Sequence, residues 1–130
     1  MTNAEIAAAY LAYAKDQGEA NQWAADSVMD LTYEDRWDDL WDIILAMSRD
    51  PADVDVGALA FVAAGPVEDL ICKAGPAYID RILQEAKSNT RLGRLLTGVW
   101  LRGVDPSVRE RLVAFCRAFP DPIDGEYVET

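Results

Sequence analysis

Carboxylates are the side chains most able to do chemistry in this sequence, and they occur in two patterns. Asp35, Asp38, Asp39 and Asp42 fall at i, i+3, i+4 and i+7. On a helix that spacing puts all four on one face, where they can meet a basic surface. A divalent cation needs ligands wrapped around it, and one helix face rarely supplies them. The second pattern is Gly65-Pro66 followed by Glu68 and Asp69, a helix break with two adjacent acids that could form a notch. With Arg91 or Arg94 nearby, these two acids are a candidate acid–base pair, as are Asp38 and Asp42. Hydrolases of that kind set two carboxyls across a cleft, which neighbours in one helical turn do not do.

Other chemistry is missing. There is no histidine, hence no imidazole base, Ser–His or Cys–His pair or imidazole ligand. No C-x-x-C and no glycine-rich phosphate loop occurs. Lys15, Lys73 and Lys87 read as surface residues. Cys72 and Cys116 fall on apolar helix faces and are expected to be small buried hydrophobes. The sequence points away from an enzyme and implies no cofactor and no metal.

The charge is the strongest functional signal. Formal net charge is −11, the reverse of a nucleic-acid footprint. Residues 1–50 carry eleven acids and three bases, and residues 51–75 four acids and one base. Residues 76–119 reverse this with four acids and eight bases, and the last eleven residues hold four acids and no base. An acidic first half thus meets a basic second half, followed by an acidic tail, and the uncompensated part can steer a basic partner.

These groups are positioned by helices. Residues 1–119 read as a single all-α domain of six to seven helices, compatible with HEAT-like antiparallel pairs, and residues 120–130 as an acidic tail, extended or mobile. Thr2-Asn3-Ala4-Glu5 is a capping box opening an Ala-rich helix that Gly18 should end. A second helix is expected from Glu19 to about Leu31. A third should open at Thr32–Asp35 and close at Asp50-Pro51, with Trp37, Leu40, Trp41, Ile44, Leu45 and Met47 as its apolar stripe. The run 59–75 is the most apolar and should be a buried central helix broken at Gly65-Pro66. A stop and restart there makes Gly65 an N-cap, with Glu68 reaching back to its N–H. Gly75 and Pro76 should end that helix and start the next. Thr90 to Gly103 should form another, with Leu92, Leu95, Leu96, Val99 and Trp100 inward, and Asp105-Pro106 should open the last.

The segment Ala-Ala-Gly-Pro-Val-Glu-Asp-Leu-Ile at 63–71, with Tyr-Ile-Asp at 78–80 and Gly-Val-Trp at 98–100, resembles a family of small bacterial helical domains of unknown function. Its members carry A-G-P-[LV]-E-D-L-[LI] and then G-V-W. The likeness spans residues 37 to 100 and implies an all-α fold without implying an activity.

The functional expectation is a non-enzymatic, acidic protein-binding module in the cytoplasm. Asp35, Asp38, Asp39 and Asp42 engage a basic protein partner, in the manner of an inhibitor or immunity protein. There is no direct nucleic-acid or membrane binding. The alternatives are a homodimer built on Trp37 and Trp41, or a carboxylate enzyme at the Gly65-Pro66 break.

Overall fold

A computed structural model describes all residues, 1–130. It is all-helical, without a strand. The elements are α1 (Asn3–Asp16), α2 (Gln22–Tyr33), α3 (Trp37–Arg49), α4 (Val56–Val62), α5 (Glu68–Ala86), α6 (Thr90–Thr97) and α7 (Pro106–Ala118). A π-helical turn over Ala63–Val67 joins α4 to α5, making them two limbs of one broken helix and the domain one of six helices. No helix is long and apolar enough to cross a membrane.

The broken helix is the axis of the core. α4 packs on α1 and α6, and α5 packs on α3, α6 and α7. Val62, Ala63, Val67, Leu70 and Ile71 are all buried around the break. α1 lies across α2, α3 and α4, burying Ile6, Ala7, Tyr10, Leu11 and Ala14. A single continuous apolar cluster results.

Local signals explain most boundaries. Thr2 Oγ1 accepts the Glu5 N–H at 3.1 Å while the Glu5 carboxylate takes the Thr2 N–H at 3.2 Å, the expected capping box. Asp105 caps α7, with Pro106 in its first turn, also as expected. Elsewhere tertiary packing overrides the punctuation. The left-handed residue ending α1 is Gln17 (φ 52°), one place before Gly18. Glu19–Asn21 form only a 3₁₀ turn, so α2 starts at Gln22.

The expected start of α3 at Thr32–Asp35 is the end of α2. Thr32 is buried and its hydroxyl donates back to the Val28 carbonyl, as an interior helical threonine does. Arg36 N–H then reaches the Leu31 carbonyl (2.9 Å) and Asp35 N–H the Thr32 carbonyl (3.3 Å), with Asp35 left-handed at φ 55°. This is a Schellman closure.

The predicted stop at Gly65 is a bend. Gly65 adopts φ −102°, ψ −107°, and the chain continues helically on both sides. Pro76 does not start a helix either; it lies inside α5. Its missing N–H costs one bond, offset by the inward face of Tyr78, Ile79, Ile82 and Ala86, all buried. Gly75 lets α7 close in, since a Cβ there would lie 3.1 Å from Val108 Cγ1. α6 stops at Thr97, not Gly103. Val99 and Leu101 are buried and Trp100 between them is 65 % exposed, the alternation of an extended segment. Gly103 (φ 81°) turns the chain toward α7.

Candidate functional site

The aspartates of the expected stripe are placed by two different elements. Asp38, Asp39 and Asp42 lie on α3; Asp35 sits in the preceding turn, where its backbone serves the helix closure. The α3 acids are largely engaged within the chain. Asp39 accepts Arg36 Nη2 at 2.7 Å and Asn3 Nδ2 at 3.1 Å, and these bonds, Asn3 first, hold its carboxyl below the usual range. Asn3 Nδ2 also reaches Asp42 at 3.0 Å. Asp38 receives the hydroxyl of buried Tyr78, with Arg81 at 3.9 Å and its guanidinium stacked 4.2 Å from the Tyr78 ring centre. No group of three or more acids or cysteines is arranged to hold a metal ion.

Trp41 is buried and Trp37 half-buried, so neither protrudes as an expected dimer contact would. The exposed tryptophan is Trp100. Cys116 is buried, and burial pushes its thiol up to about 12, which makes it inert. Cys72, expected inside, is exposed with its Sγ near the Gly103 carbonyl.

At the helix break, Glu68 and Asp69 part company. Neighbours on a helix point about 100° apart. Glu68 turns toward the segment after α6 and accepts the Trp100 N–H at 3.1 Å, so it ties that segment down and does not cap Gly65. Asp69 faces a different side, lining a cleft of about 380 Å³ between α1, α2 and the bend. Arg91 and Arg94 are not there. Arg91 donates to the carbonyls of Met47 (3.0 Å), Asp50 (2.7 Å) and Ala52 (2.7 Å), closing the end of α3. Arg94 reaches the Asp121 carbonyl at 3.2 Å and its carboxylate at 3.4 Å. The pairing of Glu68 and Asp69 with an arginine, on which the carboxylate-enzyme alternative rests, is not assembled.

The cleft is nevertheless a built feature. Tyr10, Tyr13 and Phe61 pack with ring centres 5.8–6.4 Å apart along one wall. Tyr13 donates its hydroxyl to Gln22 at 3.1 Å. Asp69 is half-buried; burial raises its carboxyl above the ordinary value, and the Lys73 charge pulls the other way. Gly65 is required by close approach, because a Cβ there would lie 2.8 Å from the Tyr10 hydroxyl. A π turn inserted into a helix is a frequent mark of functional sites.

A family of unknown function, DUF6869, matches residues 12–118. The chain belongs to this family. The matched region runs from within α1 to the end of α7 and so includes the α3 acids and the cleft lining apart from Tyr10. No curated protein and no solved structure matches the chain. Family membership brings no activity with it, so the reading of function rests on the site.

Beside the cleft runs a ridge that the sequence analysis did not single out. Asp26, Met29, Asp30 and Tyr33 stand at i, i+3, i+4 and i+7 on α2, with Glu34 and Asp35 following. Met29 is 56 % and Tyr33 76 % exposed. None of these acids is in an ion pair, whereas Asp38 and Asp39 are. The legible signal was apolar residues set at helical spacing among acids, on a face that the buried Ala24, Val28 and Leu31 leave free.

Proposed function

We propose that this protein is a non-enzymatic binding module that engages a basic surface of a partner protein. The engaging face is the α2 ridge, with Asp26, Asp30, Glu34 and Asp35 as charges and Met29 and Tyr33 as apolar anchors. Asp42 extends it on α3, while Asp38 and Asp39 contribute less because their charges are already met within the chain. The observation that carries this reading is the unpaired state of the α2 acids around two exposed anchors. Large side chains at an interface centre supply affinity, and charges around them supply orientation and on-rate. Inhibitors and immunity proteins that cover a basic active surface have this character, and the missing catalytic constellation agrees with it.

The test is affinity capture from extracts of the source cell at increasing salt. The partner should be retained at low salt and released as salt rises. Asp26→Lys with Asp30→Lys should abolish capture, and Asp38→Lys with Asp39→Lys should weaken it less. Capture unchanged by the α2 double reversal overturns the proposal.

A further inference from the structure

Two polar groups in the cleft at the helix break lack partners, and both point to the same ligand. Tyr10 is 5 % exposed, yet its hydroxyl makes no hydrogen bond within the chain. The ring is fixed by Tyr13 and Phe61, and Gly65 leaves open the space in front of its oxygen. The ring is buried, but the hydroxyl oxygen is not sealed from solvent and opens into the cleft, free to take a partner there. Asp69 lines the same cleft, half-buried, with neither a hydrogen bond nor an ion pair. Lys73 in the same cleft offsets only part of the cost of withdrawing this carboxylate from water, and a cation seated beside it would offset more.

The remaining surroundings select the sign of the ligand. Asp26 and Asp69 outnumber Lys73 among the charged groups lining the cleft, and the ridge acids Asp30 and Glu34 lie next to it in sequence. An anion would meet Asp69 directly. Tyr13 and Phe61, both half-buried, line it with aromatic rings, and ring faces attract ammonium and guanidinium groups.

We propose that this cleft is a cation pocket, in which the Asp69 carboxylate and the Tyr10 hydroxyl oxygen receive the primary ammonium or guanidinium group of a lysine or arginine side chain. This deepens the binding-module reading and rests on it for the source of the group. The ridge docks the partner's basic surface, and the cleft takes one side chain from it.

The experiment is an amide NMR titration of the intact protein, following Gly65 and Asp69. The probes are Nα-acetyl-lysine methylamide and Nα-acetyl-arginine methylamide, with Nα-acetyl-norleucine methylamide as the uncharged control. Saturable shifts with the two cationic probes and none with norleucine are expected. Asp69→Asn should weaken binding about tenfold or more, as loss of a charged hydrogen bond does. Tyr10→Phe, which keeps the ring packing, should weaken it severalfold, and Glu110→Gln, exposed on α7 away from ridge and cleft, should leave it unchanged. Equal shifts with norleucine, no saturation at Gly65 and Asp69, or undiminished binding in Asp69→Asn would each overturn the pocket. A parallel arm compares putrescine with acetyl-Gly-Gly-Lys-Gly-Gly-amide. Tighter peptide binding supports a protein source, and tighter putrescine binding overturns that source in favour of a free amine. Failure of the pocket while the α2 reversal still abolishes partner capture removes this inference and leaves the proposed function standing.

Discussion

At the residue scale, the molecule turns on Gly65. Its missing Cβ leaves room for the Tyr10 hydroxyl, so one substitution should both destabilise the fold and close the cleft. Gly65→Ala should cost about 1–3 kcal/mol, the usual range for overpacking a tight site. Tyr10→Phe alone should be near neutral in stability, since that hydroxyl holds no bond. Combining them should recover most of the loss, because the clashing atom is then gone. Urea denaturation of the four proteins in a double-mutant cycle checks this; a double mutant as unstable as the sum of the singles would rule out the hydroxyl as the obstacle. A break at Gly65-Pro66 was legible because that pair disrupts helices, although Gly75-Pro76, the same pair, lies inside α5. The cleft was not, because it joins Tyr10 to Asp69 across 59 sequence positions. Glu68 and Asp69 looked equivalent in sequence, and only the helix direction separated a tether for Trp100 from a wall of the cleft.

At the element scale, helix existence was readable from apolar periodicity, and boundaries were readable where a cap acts locally. Thr2 and Asp105 behave as their sequences imply because capping depends on residues within one turn. Glycine and proline misled where packing could override them, as at Pro76 inside α5 and Gly103 after α6. The end of α1 is instructive: glycine stands at position 18, but the left-handed residue is Gln17. A β-carbon in that conformation carries strain that glycine does not. Gln17→Gly should therefore raise stability by about 0.5–1 kcal/mol, read as a higher urea midpoint at unchanged slope. A lower midpoint would show that the Gln17 side chain holds the turn by other means. Arg91 shows the converse limit. Its three carbonyl bonds make it a clamp across α3 and α6, and nothing in its sequence neighbourhood announced that.

At the scale of the whole molecule, charge is sorted. The acidic tail lies against the arginine-bearing helices: Glu129 meets Arg109 at 2.8 Å and Arg117 at 3.1 Å, and Asp121 meets Arg94. Ile123 is buried, with its N–H on Thr97 Oγ1 at 3.0 Å. The four tail acids offset the excess of bases in residues 76–119, so the net −11 resides formally in residues 1–75, where the proposed ridge and cleft lie. The blocks of like charge were plain in the sequence, but which block neutralises which was not, because that pairing depends on where the chain returns. Deleting Asp121–Thr130 should cost about 2–4 kcal/mol, mostly from uncovering Ile123, with each exposed ion pair adding less than 1. Thermal unfolding of the shortened protein measures it, and an unaltered midpoint would mean that the tail contributes no net stability.

That docked tail sets the polarity of the particle as well as its stability. A protease that clipped the chain after Pro120 would strip the cover from Arg94, Arg109 and Arg117 while leaving the opposite flank negative. Intact copies repel one another; clipped copies would be two-signed, and at low ionic strength they would string together front to back.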